Sequence, residues 1–139
     1  LRMEFEFEVQ GGDFSNAGQA SSQIKKILKQ LNIEPKTIKR TVVALYEGEV
    51  NIVAHAWKGK IKVDIETDKI EAILSDEGPG IENIDRAMQD GYSTASDEVR
   101  EMGFGAGMGL SNMKKNSDDM KLQSEVNKGT TVTIVNHLS

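Results

Sequence analysis

Four glycines alternate with larger residues in GFGAGMGL, residues 103–110, and the stretch runs directly into SNMKKNS, which reads as a short helix. Glycine inside regular structure costs about 0.5–1 kcal/mol relative to alanine, so such a run calls either for a ligand that must touch bare backbone or for a loose turn. The start of a helix offers N–H groups without intrahelical partners and a partial positive charge, which suits a phosphate. Taken alone, the pattern is common and leaves both readings open. In YEGEVNIVAHAW, Glu47, Asn51 and His55 recur at every fourth residue and so form one stripe on a helix. That stripe adjoins an apolar arc of Val42, Val43, Leu45, Tyr46, Val50, Ile52, Val53 and Trp57, where a carboxylate and a carboxamide either reach into a cleft or face water. In SDEGPGI, Asp76 at a strand end can accept a hydrogen bond from an exocyclic amine, while Gly78 and Gly80 let a flat ring lie against the chain. A tight surface turn would use the same letters.

The elements that must position these residues follow from periodicity. MEFEFEV alternates as a half-buried strand at or near a sheet edge. Ala20, Ile24, Ile27, Leu28 and Leu31 carry helical spacing through residues 16–31, and a second helix begins near Pro35 and runs to about Ala56. KIKVDIE and KIEAILSD form a hairpin about Thr67 and Asp68. After EGPG come a short helical stretch, ENIDRAMQD, a polar segment from Gly91 to Met102, the glycine run and a helix to about Asn116. MKLQSEV and TVTIVNH close the chain as a hairpin about Lys128 and Gly129. Eight of the thirteen glycines lie between Gly78 and Gly129, so backbone freedom is concentrated in loops of the second half. The expected fold class is α+β, a two-layer α/β sandwich with a mostly antiparallel sheet covered on one face by helices, and the expected organisation is one domain over residues 1–139.

Composition narrows the function. A formal net charge of −5 argues against a general nucleic-acid binder, which would hold phosphates with lysine and arginine. The absence of cysteine excludes disulfides, cysteine-zinc sites and a thiol nucleophile. There is neither an apolar run long enough to span a bilayer nor a charged-then-apolar leader, so the expected location is the cytoplasm, without membrane attachment.

Four groups occur in order: Glu47-x-x-x-Asn51, Asp76-x-Gly78-x-Gly80, Gly103-x-Gly105-x-Gly107-x-Gly109-Leu110 and Gly129-Thr130-Thr131. In order and approximate spacing they resemble the ATP-binding boxes of the GHKL, or Bergerat-fold, superfamily, and the resemblance covers nearly the whole chain. It is nearest to the small stand-alone anti-sigma-factor serine kinases and stressosome switch kinases; DEGPGIENIDRAMQDGYSTA and GFGAGMGL look particularly like the switch-kinase branch. The resemblance implies ATP and Mg2+ as cofactors, with Asn51 as the metal ligand. It further implies that Asp76 reads the adenine amino group, that Gly78 and Gly80 floor the base, and that Thr130 or Thr131 supports the adenine pocket. Gly103, Phe104, Gly105, Ala106, Gly107, Met108, Gly109 and Leu110 would close over the phosphates, with residues 91–102 as a lid. Glu47, one helical turn before Asn51, would activate the nucleophile.

The implied activity is phosphorylation of a serine or threonine on a small STAS-like regulatory protein. The alternatives are an ATP-dependent module that binds a sigma factor or another regulator without phosphotransfer, and a slow ATPase. A homodimer is a further expectation. The chain shows neither a phosphoacceptor-histidine helix pair nor transducer domains, which points away from a complete sensor kinase or a gyrase-like machine.

Several residues stand outside this scheme. Glu49 falls in the centre of the apolar arc, so it either meets a partner or marks an interface. Gly48 reads as a close-packing position or a hinge, and His55 as a structural residue at the helix end. Ser93, Thr94 and Ser96 read as solvated loop residues, and Lys114 and Lys115 as a solvated face near a helix C-terminus.

Overall fold

A computed structural model describes residues 2–89 and 109–138. Strands β1 (Arg2–Gln10), β2 (Lys58–Glu66), β3 (Lys69–Glu77), β4 (Asp119–Glu125) and β5 (Gly129–His137) form one sheet in the order β1-β2-β3-β5-β4. Every neighbouring pair is antiparallel. Helices α1 (Gln19–Gln30) and α2 (Pro35–His55) and two short ones, α3 (Ile84–Ala87) and α4 (Gly109–Lys115), complete the described elements. This is the α+β sandwich expected from the sequence, and β1 lies at the sheet edge as its alternation suggested. The position of β5, inserted between β3 and β4, could not be read from local pattern. None of the described helices is long and apolar enough to cross a membrane.

Register assigns the two faces. Phe5, Val63, Ala72 and Ile134 stand in one row across β1, β2, β3 and β5, and Phe7, Ile61, Leu74 and Val132 in the next. Because side chains alternate along a strand, these rows share one face, and α2 packs over it through Leu45, Ile52 and Val53. Helix α1 adds Ile24 and Leu28, and α4 adds Leu110 and Met113, all buried in the same core.

Residues 14–16 form a single 3-10 turn, and α1 begins at Gln19, later than the spacing suggested. The reason is Gly18, whose φ of 98° turns the chain between the two. Gly18 stands in the N-cap position and has no side chain with which to cap. Glu49 of α2 does that work from 31 residues away. Its Oε2 accepts hydrogen bonds from the Gly18 amide at 2.9 Å and the Ala20 amide at 3.2 Å, while its Oε1 accepts from the Ser21 amide at 3.1 Å and the Ser21 hydroxyl at 3.0 Å. The carboxylate is 2% exposed, so the answer to its place in the apolar arc is a partner, the positive end of α1. At the other end, Asn32 at φ 56° places its amide on Lys29 O and the Ile33 amide on Leu28 O, closing α1 with a Schellman motif.

Two members of the expected apolar arc are not core. Trp57 is 63% exposed because α2 ends at His55 and the helical spacing no longer applies to it. Tyr46 is 42% exposed at the flank where α1 begins, with its ring 3.2 Å from where a Cβ on Gly18 would lie. Gly48 is a packing position: a Cβ there would lie 2.8 Å from Met113 Cε and closer still to Leu74. Helix α4 therefore approaches α2 over bare backbone.

Replacing Glu49 by alanine strips three backbone amides and a hydroxyl of a charged acceptor in the interior. Glu49→Ala is expected to lose roughly 2–3 kcal/mol in urea unfolding, with hydrogen exchange accelerated first in residues 18–24. Unchanged stability would mean that the cap contributes nothing.

Candidate functional site

Residues 47–49 are consecutive on α2 and therefore face three ways: Glu49 toward α1, Gly48 toward the core, and Glu47 toward the start of α4. Glu47 is half-buried, and its Oε1 accepts a hydrogen bond from Asn112 Nδ2 at 3.3 Å. Its Oε2 lies 3.7 Å from where a Cβ on Gly109 would be. That distance is an ordinary contact, so none of the described residues forbids alanine at 109. Asn51 follows one turn later on the same stripe, half-buried. His55 ends the helix; burial pushes its imidazole below the usual range, so it is neutral at pH 7 and suits the structural reading.

Asp76 stands near the end of β3 on the helix-covered face, in register with Gly59. Its Oδ1 accepts a hydrogen bond from the Thr130 amide at 3.0 Å, which fixes the carboxylate, and among the described residues none donates to its second oxygen. Burial pushes the Asp76 carboxyl above its usual range, and the Thr130 amide pulls it part of the way back. Gly78 is buried against the end of α2: a Cβ on it would be 3.0 Å from Ala56 Cα. Gly80 has φ 76°, and a Cβ there would come within 2.9 Å of Val126 Cα. Both glycines are thus demanded by packing.

The loop carrying them is stapled to the β4–β5 turn. The Asn127 amide donates to Pro79 O at 2.8 Å, the Gly78 amide to Lys128 O at 3.1 Å, and the Ile81 amide to Ser124 Oγ at 2.8 Å. Ser124 Oγ and Thr130 Oγ1 are 2.8 Å apart, and Thr130 is 7% exposed. The two threonines part company here. Thr130 shares the face of Asp76, whereas Thr131 pairs with Ser75 on the opposite face, its hydroxyl 3.4 Å from Ser75 Oγ. Strand alternation therefore removes Thr131 from the site. Leu110 is 7% exposed with its side chain in the core, so only its backbone is available to a ligand.

Gly103, Phe104, Gly105, Ala106, Gly107 and Met108 lie outside the described residues, as does the expected lid, residues 91–102, with Ser93, Thr94 and Ser96. Lys114 and Lys115 are exposed in the last turn of α4, the place expected for them. Sequence reasoning missed Asn112 and Ser124, which belong to no spacing pattern; each is found only when the fold sets it against a distant partner.

The raised carboxyl of Asp76 has a signed consequence. A folded-state value above the unfolded one makes the ionised form costly at neutral pH, and the cost vanishes as pH falls below about 4, the ordinary aspartate value. Asp76→Asn keeps an oxygen for the Thr130 amide. It is expected to raise the urea midpoint at pH 7, with the gap from wild type closing toward pH 4; a gap that does not change with pH would refute the electrostatic account.

The family model described as histidine kinase-, DNA gyrase B-, and HSP90-like ATPase matches residues 38–139. An anti-sigma F factor of Thermoanaerobacter sp. (strain X514) is 30% identical over 128 residues, which cover 88% of this chain and 86% of that protein. The serine/threonine-protein kinase RsbT of Bacillus subtilis (strain 168) is 30% identical over 118 residues, 82% of this chain and 83% of the kinase. In fold, the chain is similar to the crystal structure of the RsbU and RsbW domains of Rv1364c from Mycobacterium tuberculosis, with a TM-score of 0.62 at 16% identity over 98% of this chain and 32% of that one. Matched by the model from α2 to its last residue, the chain belongs to the histidine kinase-, DNA gyrase B- and HSP90-like ATPase family.

Proposed function

We propose that this chain is a cytoplasmic Mg-ATP-dependent kinase that phosphorylates a serine or threonine on a small STAS-like regulatory protein. The observation that carries the reading is Glu47: a half-buried carboxylate with one oxygen held by Asn112 and the other beside Gly109 at the start of α4. Two relatives support it, one named as a serine/threonine-protein kinase and one as an anti-sigma F factor. The second name also favours a sigma factor as a bound partner, held without phosphotransfer.

In the proposed reaction Asp76 accepts a hydrogen bond from the adenine amino group, and Gly78 and Gly80 lie under the ring. Thr130 supports that pocket through its amide bond to Asp76. Asn51 offers its amide oxygen to magnesium, which when bound neutralises charge on the phosphate oxygens. Among the described residues no cluster of acidic or histidine side chains could hold a metal ion, so the proposed ion reaches the site together with the triphosphate. Glu47 takes the proton from the attacking hydroxyl as that oxygen bonds to the γ-phosphorus and the bond to the β-γ bridging oxygen breaks; ADP leaves.

Glu47→Gln keeps shape and removes the base. It is expected to leave ATP affinity within a few-fold by calorimetry and to cut partner phosphorylation by ~10²–10⁴. Undiminished phosphoprotein with labelled ATP would sink the base assignment. A wild type that binds ATP and a sigma factor, yet labels none of the STAS-domain proteins of its genome, would favour the binding-only reading. Glu49 is unsuitable as a matched control, since it caps α1.

A further inference from the structure

We infer that Asn112 is the positioning residue for Glu47, an inference that rests on the reading of Glu47 as the base. The bond from Asn112 Nδ2 to Glu47 Oε1, 3.3 Å long, spans the contact between α4 and α2. It takes up one carboxylate oxygen and so turns the other toward Gly109. An amide suits the task because it donates without carrying charge. A lysine or arginine at the same place would stabilise the ionised carboxylate and weaken it as a base, and an apolar residue would leave the side chain free to rotate.

Asn112 is itself held from both sides. Toward the core, Met113 is fully buried against the bare backbone at Gly48, which sets the rotation of α4. Toward its C-terminus, Asn116 Nδ2 donates to Asn112 O at 2.9 Å and Ser117 Oγ to Met113 O at 2.8 Å. Asn136 Nδ2, on β5, donates to Asn116 O at 3.1 Å and to Thr41 Oγ1 of α2 at 3.0 Å. The end of α4 is thereby tied to the sheet and to α2, and the Asn112 amide is delivered to one place. A half-buried bond of this length contributes little to stability, so this much anchoring is better matched to orientation than to holding the fold together.

The test is a double-mutant cycle, using γ-labelled Mg-ATP and the STAS-domain protein that the wild type labels. Asn112→Ala is expected to lower kcat roughly 10–100-fold, the scale of a misplaced reacting group, with the Kd for Mg-ADP within twofold and the melting temperature nearly unchanged. Asn112→Leu, close in size but without a donor, should fail as badly, whereas a purely steric role would be rescued by it. In the Glu47→Gln background Asn112→Ala should add nothing, because it acts through the missing carboxylate. Equal losses in both backgrounds, or full turnover in Asn112→Ala, overturn the inference while leaving Glu47 as the base. Full turnover in Glu47→Gln overturns the base itself. Should Asn112→Ala unfold, the comparison of Asn112→Leu with wild type in the two backgrounds decides the same question.

Discussion

The missing side chain at Gly48 is the constraint on which the site depends. Helices packed through ordinary side chains lie about 8–10 Å apart, and here Met113 and Leu74 occupy the volume that a Cβ at 48 would need. A glycine in mid-helix weakens α2 by about 1 kcal/mol relative to alanine. The closeness it permits brings α4 over α2 at the residue next to Glu47, so that Asn112 and Gly109 meet that carboxylate.

Polar groups do the orienting inside an otherwise apolar interior. Glu49 ties the start of α1 to α2, and Asn136 ties α2, α4 and β5 together through Thr41 and Asn116. Every one of these atoms is paired, which is the condition under which burying it is tolerated. The apolar rows of the sheet specify that helices cover one face. The polar pairs fix where α1 begins and where α4 ends on that face.

Much of this was legible in the sequence because it is local. Alternation gave the strands, Pro35 marked the first turn of α2, and the fourfold spacing placed Glu47, Asn51 and His55 on one stripe. What could not be read depends on contacts between residues distant in the chain. Thr41 and Asn136 are 95 residues apart, and Glu47 and Asn112 are 65 apart. The choice between Thr130 and Thr131 turned on strand parity, which is fixed only once β5 pairs with β3. Trp57 was misread because a helical period was extended past the residue at which the helix ends. The central glycines of the run at 103–108, the strongest signal in the sequence, lie outside the described residues.

The stapling of the 78–81 loop to the β4–β5 turn bears on how the proposed adenine pocket would discriminate. Segments some 45 residues apart in the chain, joined by three hydrogen bonds, behave as one wall. A wall built before the ligand arrives takes little of the binding free energy for its own ordering. It also cannot fold inward to cover Asp76 when a ring arrives without an amine to offer. On the proposed reading, such a ring would leave a half-buried carboxylate oxygen desolvated and unpaired, and rejection would come from that penalty more than from any contact the accepted ring gains. Selectivity at this end of the proposed site would then be a property of stiffness.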